Sequence, residues 1–227
     1  MPRLSDIDLF TDLSEDQNQL YGSRCVWKDY AENELVIDHH DDSTDVRFII
    51  SGKVRIIVRV SAGKEVILNE ANAGDFFGEI AAIDGMTRSA NVTSITRSRM
   101  CIMPRHVFMD VLEKVPSVNR QVMRRLTGLV RQLSIRLSEY SFLQAKHRLY
   151  AELLRLSSKR PGHEGQRSIS PPPIQREIAD RIASRREVVS REMKNLERES
   201  VIEKTRGALV ILDPGELNRR IVDGWNN

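Results

Sequence analysis

The spacing of the apolar residues changes at Pro116. Before it, short runs rich in Val and Ile are separated by Gly52, Gly74 and Gly85, and several runs alternate with polar residues, as half-buried β-strands do. From residue 117 to residue 140 proline is absent, and apolar residues recur at the spacing of a helix. We therefore expect an α+β chain, in which an antiparallel β domain precedes a helical part.

The β part is expected to form a β-roll, or jelly roll, because its short strands are evenly spaced. Ser61 to Lys64 is predicted to be a hairpin turn. The strands are predicted at residues 34–38, 47–50, 54–60, 65–68, 91–95 and 99–103.

The composition fits a soluble protein of one or two domains. The chain has 227 residues and a net charge of +3, which allows nucleic-acid binding without indicating it. No run approaches the roughly 18 apolar residues of a membrane span, and the start of the chain lacks the apolar segment of a signal peptide. We expect a cytoplasmic protein with no membrane partner.

Metal and redox chemistry are not predicted. Cys25 and Cys101 are too few for an iron–sulfur cluster with four thiolate ligands and form no Cys-x-x-Cys pair, so two buried or inert thiols are expected. His39 and His40 lie among aspartates. Because adjacent strand residues face opposite sides, a solvated acidic loop is favoured over a weak metal site.

Residues 74–81 and the pair Arg88-Ser89 combine groups that bind a nucleotide. Gly78 has no Cβ, so backbone N–H groups can approach a phosphate. Glu79 can accept hydrogen bonds from a sugar hydroxyl. Arg88 supplies a planar cation suited to a phosphate diester, with the Ser89 hydroxyl beside it. The alternative is a β-turn with a surface ion pair between Glu79 and Arg88.

This run resembles the phosphate-binding cassette of cyclic-nucleotide-binding domains, F-G-E-[LI]-A followed after a short gap by R-[ST]-A. Residues 48–54 also resemble the Y-I-x-x-G-x-V segment of their β-roll. By this resemblance Glu79 contacts the ribose 2′-hydroxyl, while Arg88 and Ser89 hold the cyclic phosphate. The candidate cassette residues are Gly78, Glu79, Ile80, Ala81, Arg88, Ser89 and Ala90.

No enzyme is expected. Catalysis on a cyclic nucleotide would need a metal site or an acid–base pair. The 5 histidines of the chain show no ligand spacing.

From Ser117 to about Tyr140 the sequence predicts a helix with a narrow apolar seam. Such a seam usually meets a second helix, so we expect a two-fold homodimer, the commonest oligomeric arrangement. The alternative is a helix packed only on its own domain. The predicted seam consists of Val122, Leu126, Leu129, Leu133, Leu137 and Tyr140, with a break at Arg136.

The last third of the chain predicts a DNA-binding module. Helices are expected at residues 143–156, 174–182 and 185–200, the last two joined by a short turn, as in a helix-turn-helix. A polar segment, residues 157–170, precedes the second helix. A β-hairpin within residues 201–212 follows the third, as in a winged helix.

The last of these helices begins with side chains that can read base edges. Arg186, Glu187, Ser190 and Arg191 can face one groove. Arginine can donate two hydrogen bonds to guanine, and glutamate can accept one from cytosine. The alternative is a solvated face on which the interleaved glutamates pair with the cations. Phosphates are expected to contact Lys194, Arg198, Lys204 and Arg206.

The order of β-roll, long helix and winged helix resembles the CRP/FNR family of bacterial transcription regulators. Arg186-Glu187-x-x-x-Arg191 is similar to the R-E-x-x-x-R of its cAMP receptor protein branch, and Glu187-x-x-Ser190-Arg191 to the E-x-x-S-R of its FNR branch. The resemblance implies a dimer on a palindrome of double-stranded DNA with TGTGA-like or TTGA-like half-sites.

The resemblance also implies three segments: a cyclic-nucleotide-binding β-roll in residues 1–115, a dimerisation helix in residues 116–142 and a winged helix-turn-helix in residues 143–227. Ligand binding would re-register the dimer helices, and RNA polymerase would be a partner if the protein is an activator. The alternative is a ligand-independent regulator whose β-roll is a scaffold or a protein-interaction surface.

Departures from the family patterns bear on the effector. The cysteine cluster of the FNR branch is missing, and the cassette lacks the Cys and His that hold haem in the carbon-monoxide sensor of the family, so no iron–sulfur cluster, haem or metal is expected. An ungapped comparison puts Leu133 and Ser134 where a Thr-Ser pair recognises adenine. We expect cAMP first, cGMP second, and a cassette without ligand third.

Overall fold

The protein is described here by a computed structural model, which covers residues 3–60 and 64–226. The chain divides into two compact units, Met1–Leu129 and Val130–Asn227. Of the turn predicted at residues 61–64, residues 61–63 lie outside the described residues, and Lys64 begins a strand.

The first unit contains two antiparallel sheets. Its strands are β1 (Val26–Tyr30), β2 (Leu35–Ile37), β3 (Val46–Ser51), β4 (Lys53–Val60), β5 (Lys64–Asn72), β6 (Phe76–Phe77), β7 (Asn91–Ser94) and β8 (Ser98–Met103). One sheet has the order β1-β8-β3-β6 and the other β2-β7-β4-β5. Each predicted strand overlaps one of these, whereas β1, which is mostly exposed, and the short β6 were not predicted.

The core of the first unit has two parts, because alternate strand residues point to opposite faces of a sheet. Ile49 of β3 and Val92 of β7 belong to the apolar layer formed by residues of both sheets. Phe48 points the other way, into a second cluster shared with Phe108 and Val118. The sheet that contains β3 is therefore covered on both faces.

The helices are α1 (Glu15–Gly22), α2 (Glu79–Asp84), α3 (Arg105–Lys114), α4 (Pro116–Phe142), α5 (Ala145–Leu156), α6 (Gln175–Arg181), α7 (Arg186–Arg198) and α8 (Pro214–Trp225), with 3₁₀ turns at Leu4–Asp6 and Asp8–Phe10. Helix α4 begins at Pro116, since proline lacks only an N–H that a first turn leaves unpaired. Within the described residues, none of the helices is both long and apolar enough to cross a membrane.

The predicted seam of α4 needs correction. Val122 is buried in the core of the first unit, and the half-buried Leu126 packs against that core. The prediction that Val122 faces a second helix is therefore wrong, because its side chain covers its own sheet. Leu129 is half-buried. The exposed apolar residues that follow one face of α4 are Met123, Val130, Leu133 and Leu137. Their spacing of seven, three and four residues is regular, so this row lacks the break that the predicted seam had at Arg136.

The second unit combines helices with a small antiparallel sheet of order β11-β12-β10-β9. Its strands are β9 (Ser158–Lys159), β10 (Arg167–Ile169), β11 (Ile202–Lys204) and β12 (Leu209–Ile211). The hairpin prediction is confirmed. The segment at 157–170 is not only a polar connection, since it contributes β9 and β10. These strands escaped prediction because an apolar pattern of their own does not define them: β10 is defined by its pairing with β12, and β9 by its pairing with β10.

Candidate functional site

The turn before α2 positions the first cassette residues. Gly78 has φ 88°, a conformation that favours glycine. A Cβ at this position would lie 2.7 Å from Arg88 Nη1 and 2.8 Å from the Asp45 carbonyl oxygen. Glu79 opens α2 with only 7% of its surface exposed, and burial raises the pKa of its carboxyl group. The glycine is thus required for the arginine to lie against the backbone of the turn.

Arg88 is buried at the centre of this site, with 2% of its surface exposed. Its Nε and Nη2 donate to Ser43 Oγ at 3.2 and 2.9 Å, and its Nη1 donates to the Gly78 carbonyl at 3.2 Å. Nη2 also donates to the carbonyl oxygen and to Oδ1 of Asp45, at 2.9 and 3.2 Å. Burial lowers the pKa of Arg88, and the carboxylate of Asp45 opposes that shift.

A second buried arginine lies on the other side of the same carboxylate. Arg47 Nε is 3.0 Å from Asp45 Oδ2, and Arg47 Nη1 donates to the Val36 carbonyl at 2.6 Å. Ser43, Asp45 and Arg47 were not predicted as site residues. A charged residue at an inward position of an apolar strand, as Arg47 is in β3, is the signal that could have found them, because a buried charge needs a partner.

The other cassette residues differ in how far their side chains are exposed to solvent. Ile80 and Ser89 are exposed, whereas Ala81 and Ala90 are buried. The alternative of a surface ion pair between Glu79 and Arg88 is wrong, because both side chains are buried and the acidic partner of Arg88 is Asp45.

Helix α4 contacts the strand that leads into the cassette. Arg125 Nη1 lies 2.7 Å from Asp75 Oδ1, and Nη2 donates to the Phe76 carbonyl at 3.2 Å. The guanidinium also stacks on the Phe76 ring, 4.7 Å from its centroid. These three contacts attach the first half of α4 to the residues just before Gly78.

The predicted base-recognition pair lies on the exposed surface of α4. Leu133 is 46% exposed. Ser134 is exposed too, and its hydroxyl donates to the Val130 carbonyl at 2.9 Å. Their contact with a base stays a prediction.

The last turns of α4, which belong to the second unit, are held by polar contacts with other helices of that unit. The Tyr140 hydroxyl donates to the Arg181 carbonyl at 2.7 Å. Glu139 accepts from Arg155 at 2.7 Å, and Arg136 lies 3.5 Å from the fully buried Glu152. Since buried charges are stable only when paired, this cluster fixes the last turns of α4 against α5 and α6.

Helices α6 and α7 are joined by the tight turn expected of a helix-turn-helix. Ala183 in this turn has φ 47°, and the Ser184 N–H donates to the Ala179 carbonyl at 2.9 Å. Val189, Met193 and Leu196 of α7 are buried. Their spacing of three or four residues turns the opposite face of α7 outward.

The outward face of α7 carries the residues predicted to read DNA. Arg186, Glu187, Arg191 and Lys194 are exposed and Ser190 is half-buried. In the described part of the chain, none of those four charged side chains pairs with another side chain. All five line one open groove, together with Asn195 and Arg198.

The glutamates between these residues point to other partners. Glu192 accepts a hydrogen bond from the Tyr150 hydroxyl. Glu199 lies 2.6 Å from Arg220. Glu197 lies 2.6 Å from Lys204, so that lysine, predicted to bind phosphate, is paired within the chain. Arg206 is exposed in the β11–β12 turn. The alternative of an α7 surface neutralised by its own glutamates is therefore wrong.

The thiols and acidic histidine segment are not assembled into a metal site. No group of three or more His, Cys, Asp or Glu side chains able to hold a metal ion is found in residues 3–60 and 64–226. Cys25 is half-buried and Cys101 is buried. Contact with the Cys25 thiol, together with burial, raises the pKa of Cys101. This neighbouring pair was not predicted.

Both units of the chain match families of known proteins. Residues 27–115 match the family model of the cyclic nucleotide-binding domain, and residues 147–220 that of the Crp-like helix-turn-helix domain. A CRP-like cAMP-activated global transcriptional regulator of Mycobacterium tuberculosis is 26% identical over 193 residues, which cover 85% of this chain and 86% of that protein.

Solved structures share the fold. A mutant of CooA from Carboxydothermus hydrogenoformans superposes with a TM-score of 0.79 at 17% identity, over 94% of each chain. CLP of Xanthomonas campestris, a c-di-GMP responsive global regulator, superposes with a TM-score of 0.68 at 19% identity, over 87% of this chain and 99% of that one. At these identities the likeness concerns the fold alone.

Proposed function

Since the chain belongs to the CRP/FNR family of transcription regulators, we propose that it is a homodimer whose DNA binding is controlled by a cyclic nucleotide, with cAMP the first candidate and cGMP the second. The observation that carries the proposal is that the buried Arg88 donates to the carbonyl of Gly78, the residue that directly precedes the buried Glu79. A phosphate diester needs a cation in a dry site, and a ribose hydroxyl needs an acceptor beside it.

Control of DNA binding is proposed to run through α4. Ligand at the cassette shifts the strand before Gly78, and Arg125 transmits that shift to α4 through Asp75 and Phe76. The last turns of α4 carry α6 with them through the Tyr140 hydrogen bond. A ligand with this effect needs a differential affinity of about 1–3 kcal/mol for the two dimer states.

The dimer is proposed to form through the exposed apolar face of α4. Leu133 and Leu137 are 46% and 67% exposed, and Val130 is 62% exposed. A second copy of the same helix would cover these side chains, as coiled-coil helices do. Two recognition helices would then read half-sites about 34 Å apart.

Base reading is assigned to α7. Arg186 and Arg191 would donate to guanine, Glu187 would accept from cytosine, and Ser190 would complete the contact with a TGTGA-like or TTGA-like half-site. Lys194 and Arg206 would contact phosphates. The protein would act in the bacterial cytoplasm, and RNA polymerase would be its partner if it activates transcription.

The alternative is a ligand-independent regulator of the same family. One observation favours it: the guanidinium of Arg88 already has an anionic partner, Asp45. In that case the β-roll would act as a scaffold.

Isothermal titration calorimetry of nucleotide-stripped protein tests the proposal. We expect binding of cAMP with a micromolar or lower Kd, weaker binding of cGMP, and no binding of 5′-AMP, whose open phosphate carries a second charge. Absence of heat with both cyclic nucleotides at several temperatures would favour the ligand-independent alternative.

A further inference from the structure

The Asp45 carboxylate lies between two buried guanidinium groups. Its Oδ1 is 3.2 Å from Arg88 Nη2 and its Oδ2 is 3.0 Å from Arg47 Nε. The side chains of Arg88 and Arg47 are 2% and 9% exposed, and that of Asp45 is 18% exposed. Two arginines thus share one resident anion in a site that excludes most water.

The contacts of Arg88 leave little room for a second anion. A phosphate binds arginine best through two parallel hydrogen bonds. A guanidinium offers two such sides, Nε with Nη2 and Nη1 with Nη2, and all three nitrogens already donate, to Ser43, to Asp45 or to the Gly78 carbonyl. The side formed by Nε and Nη2 faces Ser43 and Asp45. A phosphate that approached this side would also meet the Asp45 carboxylate, and like charges in a buried site repel strongly.

We infer that Asp45 is an internal counter-ion that takes the place of a phosphate on Arg88, and that an anionic ligand binds by displacing it toward Arg47. This inference rests on the proposed function only for the identity of the ligand. Arg47 would keep the displaced carboxylate paired, so neither buried charge would be left alone. Asp45 would therefore set the ligand concentration at which the cassette responds.

The direct test replaces Asp45 by asparagine, which keeps the shape and removes the charge. The matched control is Asp42→Asn, which makes the same charge change at an exposed position of the same segment. Without a suitable anion, D45N should unfold at a lower temperature than D42N, because two buried cations have lost their partner. Inorganic phosphate should raise the unfolding temperature of D45N and leave D42N nearly unchanged.

The same variants are then titrated with cAMP and cGMP. If the proposed function holds, D45N should bind the preferred nucleotide about ten-fold or more tightly than wild type, whereas D42N should bind like wild type. Asp45→Glu, which keeps the charge, should not gain affinity.

The two claims fail separately. If D45N is stabilised by phosphate but no variant binds a cyclic nucleotide, the counter-ion role stands and the proposed effector is wrong. The counter-ion role is wrong if phosphate raises the unfolding temperature of D45N no more than that of D42N. It is also wrong if D45N fails to fold even with phosphate or nucleotide present while Asp45→Glu folds. Tighter nucleotide binding by D42N as well would also overturn it, since a general charge effect would then explain the result.

Discussion

The Tyr140 hydroxyl, near the end of α4, donates a hydrogen bond of 2.7 Å to the backbone carbonyl of Arg181, the last residue of α6. Sequence spacing placed Tyr140 in the dimer seam. That placement stays a prediction; within the chain, the hydroxyl contacts the end of α6, the first helix of the helix-turn-helix, directly before the turn that leads to α7. The hydrogen bond therefore joins the end of α4 directly to α6, the helix that precedes α7.

Removing this hydroxyl should weaken the coupling between effector and DNA. In Tyr140→Phe the ring packing stays and one partly buried hydrogen bond is lost, which costs about 0.5–1.5 kcal/mol. We expect cAMP to bind as in wild type but to raise DNA affinity less. Fluorescence anisotropy of labelled operator DNA measures the ratio of the DNA affinities with and without cAMP.

Ser141→Ala is the control for that prediction, because among the described residues the Ser141 hydroxyl bonds only within α4, to the Leu137 carbonyl at 2.9 Å. An unchanged ratio in Tyr140→Phe would show that the contact does not carry the signal.

Loss of the Arg88 guanidinium should affect both ligand binding and folding. Arg88→Leu leaves Asp45 beside Arg47 alone and removes the donors to Ser43 and Gly78, so the free energy of unfolding should fall by about 3 kcal/mol. Urea denaturation followed by circular dichroism measures this loss. Ser89→Ala, an exposed neighbour, should unfold like wild type. Equal stability of Arg88→Leu and wild type would contradict the buried network.

Much of the fold follows from local pattern. Alternating Val and Ile runs predicted β2, β3, β4, β5, β7 and β8, and the three- and four-residue spacing predicted α4 and α7. The cassette was predicted because Gly78, Glu79 and Arg88 lie close together in the sequence.

What could not be predicted depends on tertiary contacts. Val122 and Val130 are equally apolar, and only the packing of α4 on its own sheet decides that the first is buried and the second exposed. Asp45 follows the segment predicted as an acidic loop and was not predicted as a site residue. Its partner Arg88 is 43 residues away, and no local spacing reveals such a pair.

Base and phosphate contacts on α7 should respond differently to salt. Arg186→Ala should weaken binding to the specific palindrome by about 1–3 kcal/mol and relax its sequence preference. Lys194→Ala should weaken binding to all DNA sequences alike. It should also lower the slope of log K against log salt concentration by about 1. Anisotropy titrations on specific and scrambled DNA at several salt concentrations distinguish a loss of sequence preference from a loss of salt dependence. The assignment is wrong if both variants change specificity equally.

A charge on the exposed face of α4 should break the dimer without unfolding the chain. Leu137 is 67% exposed, so Leu137→Glu should leave the fold of each unit intact while weakening self-association by about 100-fold or more. Gln132→Glu, also exposed and on the far side of α4, is the matched control. Sedimentation equilibrium gives both dissociation constants. A Leu137→Glu dimer as tight as the control would exclude this face as the interface.

Control of DNA binding by a cyclic nucleotide is measured as a change in DNA affinity. Nucleotide-stripped protein is titrated into a labelled palindrome with TGTGA-like half-sites, with saturating cAMP, with cGMP and with neither. We expect cAMP to raise the DNA affinity by about 5- to 150-fold and cGMP to raise it less. Equal DNA affinity under all three conditions would contradict control by a cyclic nucleotide.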